Sequence, residues 1–133
     1  MTVVVGWTPD RYGRAALEFG VAEADLRAQP LVVVNATKGD AWVDPGFAQE
    51  EVVSNLDAEL ARLGVPHEIR RPMGGDVAQQ VIDVAVEVDA SVLVIGLRHR
   101  TAVGKLLMGS TAQRILLDCP CPVLAVKDAT ERS

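Results

Sequence analysis

Apolar positions in this chain follow two recurring patterns: short unbroken runs, and longer stretches in which apolar residues return every three or four positions. Short runs bounded by turn residues suit strands covered on both faces, and the three-to-four recurrence suits amphipathic helices. The runs predict strands at Thr2 to Trp7, Leu31 to Val34, His67 to Arg71, Ser91 to Gly96 and Pro122 to Lys127. The third is the most polar, which places it at a sheet edge. Four helices are predicted between them. The first opens at Thr8-Pro9, read as an N-cap followed by proline at the first helical position, and carries Leu17, Val21, Ala24 and Ala28 on its apolar face. After a loop from Asn35 to Gly46, the second runs from Phe47 to Leu63, with Val52, Leu56, Leu60 and Leu63 at helical spacing, and stops at Gly64. Gly74-Gly75-Asp76 introduces the third, where Asp76 and Gln79 have capping-box spacing and Val77, Val81, Val84, Ala85 and Val88 form the buried stripe. The fourth spans Ser110 to Leu117. Strands alternating with helices in this way predict an α/β fold around an open five-stranded parallel sheet with helices on both faces.

At 133 residues the chain is long enough for one full core. Only five residues are aromatic, so Val, Leu, Ile and Ala must build that core. The expected domain spans residues 1–128, followed by a polar tail, 129–133, with fraying expected from Asp128 onward. No apolar run approaches the roughly 20 residues of a membrane span, and Met1-Thr2-Val3 enters a strand without the features of a signal peptide. A cytoplasmic protein with no membrane partner is the expectation. A net charge of -5 argues against nucleic acid as a partner, because phosphate backbones need clustered Lys and Arg. Cys119 and Cys121 flank Pro120 in a spacing that is neither a redox Cys-x-x-Cys nor half of a familiar metal site, and they read as structural thiols.

Charge changes the picture between Ala90 and Leu117. No acidic residue falls there, while Arg98, Arg100, Lys105 and Arg114 all do. The predicted strand ending at Gly96 thus opens a basic loop that reaches a helix starting at Gly109-Ser110-Thr111, the layout of a phosphate cradle at a helix N-terminus. A plainer reading stands beside it, since Ser110 and Gln113 form a Ser-x-x-Gln capping box and Ser110 could serve its own helix. His99 has no acidic neighbour in sequence to orient it and reads as exposed, and His67 reads as a polar strand residue. Asp10, Asp40 and Asp44 are the carboxylates that could meet Mg²⁺ on a bound triphosphate. There is no nucleophile with an adjacent base, no carboxylate pair and no metal cluster in the sequence pattern, so the chain is not expected to be an enzyme beyond slow ATP hydrolysis.

Three segments carry a family resemblance: Val3-Val4-Val5-Gly6 followed by Arg14-Ala15-Ala16-Leu17; Val92-Leu93-Val94-Ile95-Gly96; and Gly109-Ser110-Thr111 followed by Cys121-Pro122-Val123-Leu124-Ala125-Val126. Across essentially its full length the chain resembles single-domain universal stress proteins. The resemblance implies a Rossmann-like parallel sheet in the order 3-2-1-4-5, a homodimer along the last strand and, in many members, ATP binding. It places nucleotide contacts at Gly6, Trp7, Thr8, Ala36, Ile95, Gly96, Arg98, Gly109, Ser110 and Thr111. The dimer also follows from the residues themselves. Val123, Leu124, Ala125 and Val126 are apolar on both faces, and an uncovered edge of that kind invites pairing.

Two positions depart from the ATP-binding pattern. That pattern is Gly-x2-Gly-x9-Gly-Ser, and here Gly96 and Gly109-Ser110 keep the outer frame while His99 replaces the second glycine. Gly104 could restore flexibility in another register. After the first strand, where nucleotide-binding members usually carry an Asp, stands Thr8, beside a Trp7 that could stack on adenine or fill its space. The expected function is a stress-response regulatory protein binding ATP or another adenine nucleotide at the junction of strands one and four. The alternative is a dimeric interaction module of the same family without nucleotide. Other doubly wound classes fit worse. A receiver domain needs acids where Trp7-Thr8 and Arg70-Arg71 stand, and a flavodoxin or an adenylating pyrophosphatase needs a hydroxyl-rich or Ser-Gly-Gly loop in place of Thr8-Pro9-Asp10-Arg11.

Overall fold

The computed structural model describes residues 1–36, 48–97 and 109–128. In chain order it contains β1 (Thr2–Gly6), α1 (Arg11–Arg27), β2 (Leu31–Val34), α2 (Glu50–Arg62), β3 (His67–Arg70), α3 (Val77–Glu87), β4 (Ala90–Gly96), α4 (Ser110–Asp118) and β5 (Val123–Val126). The strands form one sheet in the order β3-β2-β1-β4-β5. All four pairings are parallel, with Val4 opposite Val32 on one side and Leu93 on the other.

Strand alternation divides the core into two layers. Val3, Val5, Leu31, Val33, Val92 and Val94 face α1 and α2, where Leu17, Ala24, Leu56 and Leu60 meet them. Val4, Val32, Val34, Leu93 and Ile95 face α3 and α4 and pack on Ala78, Val81, Ile82, Ala85 and Ile115. Both faces of the central strands are therefore dry, which is why their sequences are unbroken apolar runs rather than alternating ones. The two edges differ. β3 is only partly buried, as its polarity predicts, and in β5 Val126 is buried while Val123, Leu124 and Ala125 are half-buried against the helices.

Several helix expectations are corrected. Ala28 is not part of the buried face of α1: it is the C-cap, exposed, with a left-handed φ of 53°. In α2, Val52 and Leu63 are exposed and Val53 packs inward instead, so the buried stripe is 53, 56 and 60. The predicted start of that helix at Phe47 lies outside the described residues. Gly64 does end it, at a φ of 72° that favours glycine. Asp76 caps α3 through the amides of Ala78 and Gln79, but the Gln79 side chain bonds Asp83 and Arg114, so the box is half made. Asp128 is not frayed: its side chain is 3% exposed and pairs with Arg11 Nε at 3.1 Å. Residues 129–133 lie outside the described residues.

His67 has a larger role than a polar strand residue. Its Nδ1 lies 2.7 Å from the Val65 carbonyl and its Nε2 2.6 Å from Asp57 Oδ1, which ties β3 to α2. Partial burial lowers its pKa, but the Val65 carbonyl and the bond and charge of Asp57 together outweigh that, and the net shift is upward. A pKa raised on folding adds stability that is complete below the unfolded value of about 6.5 and disappears as pH rises through the folded value. The stability advantage of the wild type over His67→Gln should therefore shrink as pH rises above about 6.5, as read by urea unfolding, and a pH-independent difference would refute this linkage.

Candidate functional site

Parallel sheets of this kind bind ligands outside the carboxyl ends of their strands, where the direction of winding reverses. Here that point lies between β1 and β4. A cleft of about 270 Å³ opens there, floored by the ends of β1, β2 and β4 and closed by the first turns of α1, α3 and α4. Gly6, Trp7, Thr8, Ala36, Ile95, Gly96, Gly109, Ser110 and Thr111 all line it. Thus nine of the ten residues placed at the nucleotide site by resemblance converge on one cavity; the tenth, Arg98, lies outside the described residues, as do His99, Arg100, Gly104, Lys105, Asp40 and Asp44.

The β1 side is built by close packing of backbone on backbone. Asp10, not Thr8, is the N-cap of α1: its Oδ1 accepts from the Gly13 amide at 2.9 Å and from the Thr8 hydroxyl at 2.8 Å. Pro9 consequently precedes the helix rather than starting it. Thr8 holds the position of the family's Asp, and its hydroxyl donates to the Asp10 carboxylate. Gly13 and Gly96 let the elements meet. A Cβ at Gly13 would lie 1.7 Å from the Thr8 carbonyl oxygen, and one at Gly96 would lie 2.4 Å from that of Tyr12. Gly96 therefore serves the packing of α1 on β4, whereas a Cβ at Gly109 would meet nothing within 4 Å among the described residues.

The α4 side is an open helix end. Gly109 is the N-cap, Ser110 is the first helical residue, and no side chain among the described residues caps the helix, so Ser110 is not the cap that the Ser110–Gln113 box would make it. The amides of Ser110, Thr111 and Ala112 have no acceptors within the helix and carry the positive end of its dipole. Arg114 does not add charge to this end. Its guanidinium pairs with Asp76, bonds Gln79 at 2.6 Å and lies 3.4 Å from Asp118, which ties α4 to α3.

Trp7 is 7% exposed and packs in the core with Val5 and Ala16, so it borders the cleft as a wall rather than as a ring free to stack on both sides. Its carbonyl accepts from Asn35 Nδ2 at 3.0 Å, and Asn35 Oδ1 accepts from the Ala48 amide at 2.8 Å. Asn35 is fully buried and joins the ends of β1 and β2 to the approach to α2. In sequence it marks only the start of a loop; an amide residue directly after a four-residue apolar strand is the available signal. Tyr12, Gly13, Val34, Val77, Val81, Ala112 and Ile115 also line the cleft, and no sequence motif marks them for it. The described lining is thus mostly apolar, with Thr8, Tyr12, Ser110 and Thr111 as its hydroxyl-bearing residues, and it includes no charged residue. Among the described residues no three His, Cys, Asp or Glu side chains gather as a metal site, and no helix is long and apolar enough to cross a membrane.

Comparison with known proteins gives a consistent family. The model of the universal stress protein family matches residues 1–127. A universal stress protein of Mycolicibacterium smegmatis is 53% identical over 125 residues, covering 94% of this chain and 96% of that protein. A universal stress protein structure from Archaeoglobus fulgidus aligns with a TM-score of 0.78 at 30% identity, over 95% of this chain and 97% of that one. Another from the same organism, solved in complex with dAMP, aligns at 0.67 with 25% identity over 95% and 96% of the two chains. A universal stress protein solved with cAMP aligns at 0.72, also with 25% identity, over 97% and 98%. With the sheet order, the cleft and a family match spanning nearly every residue in agreement, this chain belongs to the universal stress protein family.

Proposed function

We propose that this protein is a stress-response regulator that binds an adenine nucleotide in the β1/β4 cleft. The observation that carries the reading is the pairing of an apolar, hydroxyl-lined cavity with the uncapped N-terminus of α4 at its rim. The apolar walls suit a base, and the Gly109–Thr111 turn suits phosphate oxygens. The related structures with dAMP and cAMP support the same ligand class. ATP remains the family's expected form, and Mg²⁺ would arrive on its phosphates, since Asp10 is engaged as a helix cap. The described lining holds no carboxylate, imidazole or thiol to activate water, which supports binding with little or no hydrolysis. The unpaired side of β5 supports a homodimer along that edge, to be read by light scattering of the purified protein.

Isothermal titration with ATP, ADP, AMP and cAMP tests the reading. Saturable heat is expected for at least one of them, and its absence up to about millimolar nucleotide, equivalent to about 4 kcal/mol of binding, would leave the dimeric module without nucleotide as the function. Ser110→Ala sharpens the test. Because Ser110 is the first helical residue and not the cap, the variant should keep its stability within about 0.5 kcal/mol and lose up to about tenfold in nucleotide affinity.

A further inference from the structure

Away from the cleft, at the junction of α4 and β5, Cys119 and Cys121 are both free thiols, both partly exposed, and their sulfurs stand 3.4 Å apart. Their arrangement follows from the chain. Cys119 is the C-cap of α4, with φ -71° and ψ 128°, and Pro120 restricts the residue before it to that extended region. The chain bends at residues 120 and 121, and across this bend the two sulfurs meet without a distant element to hold them. Both side chains pack against the core layer under α3 and α4. The result is a pre-formed dithiol half-sunk in apolar surface.

We propose that Cys119 and Cys121 form a binding site for trivalent arsenic compounds, separate from the nucleotide cleft and independent of whether that cleft is occupied. The bite distance selects the ligand. With an element–sulfur bond of about 2.3 Å, a separation of 3.4 Å closes an angle of about 95° at the bound atom. That angle is narrower than the roughly 109° of a tetrahedral ion such as zinc, which would need sulfurs about 3.8 Å apart and two more ligands. No third Cys, His, Asp or Glu joins the pair in a cluster among the described residues. A pyramidal trivalent centre needs only the two sulfurs and keeps its third substituent.

The exchange balances without an oxidant. With an organic arsenic(III) oxide, two arsenic–sulfur bonds form, the arsenic–oxygen bonds break, and the oxygen leaves as water carrying both thiol protons; arsenic stays trivalent. Burial and the hydrogen bond with Cys119 push the Cys121 thiol up to about 11, so this thiol stays neutral at physiological pH. That slows thiolate-dependent disulfide exchange while leaving the protons available for water formation.

The test uses the reduced full-length protein and phenylarsine oxide. Intact-mass measurement should show one adduct per chain that survives excess monothiol and is released by a competing dithiol, and peptide mapping should show both cysteines shielded from iodoacetamide together. Cys119→Ser and Cys121→Ser should each weaken retention by about 100-fold or more, because closing the second bond is intramolecular. Retention unchanged in either variant would overturn the proposal, as would the absence of an adduct. Should a variant fail to fold, the wild-type map decides alone: an adduct that leaves one of the two thiols open to alkylation rejects chelation.

Discussion

Gly13→Ala is expected to lose about 3 kcal/mol or more, although it adds a single methyl group to a helix that would ordinarily gain from alanine. The methyl carbon would lie 1.7 Å from the Thr8 carbonyl oxygen and 2.6 Å from the Thr8 nitrogen. Both obstacles are backbone, so no rotamer change relieves them. Either the first turn of α1 lifts from the end of β1 or the Thr8–Asp10 cap opens. For a domain of this size such a loss lowers the melting temperature by roughly 10 °C, which calorimetry reads directly. Because Thr8 and Tyr12 both line the cleft, nucleotide affinity should fall with it. Gly109→Ala is the control: with nothing among the described residues within 4 Å of the added carbon, stability should change by less than about 0.5 kcal/mol. A Gly13→Ala protein as stable as wild type would show that the close approach of α1 to β1 does not hold.

Asn35→Ala should destabilise by about 2–5 kcal/mol. The side chain is fully buried and bonds in two directions, donating to the Trp7 carbonyl and accepting from the Ala48 amide. Truncation leaves both backbone groups short of a partner in a place water does not reach, at about 1–3 kcal/mol each. Asn35→Asp separates the two bonds. A carboxylate can still accept from Ala48, but it sets oxygen against the Trp7 carbonyl and buries a charge, so it should do no better than alanine at neutral pH. Urea unfolding of the three proteins checks this, and an aspartate variant near wild-type stability would refute the role given to the Trp7 bond. The expected consequence reaches the cleft, since Trp7 and Ala36 both line it and Asn35 is bonded to the one and adjoins the other.

These two residues also mark the reach of local pattern. The strands, the α3 cap at Asp76 and the glycine end of α2 were legible because each depends on neighbours within a few positions. Thr8 and Asp10 are both competent caps, and local pattern favoured the one before proline. The structure uses Asp10, because the Thr8 backbone must stay within reach of Gly13 while its hydroxyl bonds the capping carboxylate. Similarly, Ser110-x-x-Gln113 matches a capping box, yet the chain turns into α4 one residue earlier, at Gly109. Arg114 belongs by sequence to a basic stretch, but folding sets it beside the α3 carboxylate that engages it, 38 positions away in the chain. Most residues at the cleft were legible through the family resemblance and through the strand-end rule, whereas Val77 and Val81 of α3 and Ala112 and Ile115 of α4 were not.

By itself, then, the sequence determined the layers: unbroken Val-rich runs must be covered on both sides, and helices at three-to-four spacing are what cover them, while the strand order was legible only through the family resemblance. The outline of the site, from Gly96 to Gly109-Ser110, was likewise a matter of spacing. Only the tertiary structure decided what those residues do. Gly96 accommodates the Tyr12 carbonyl, Trp7 is a wall, and Asn35 ties strand ends together. Such roles rest on contacts between positions far apart in the chain, and packing at atomic distance, unlike periodicity, leaves no local pattern from which it can be read.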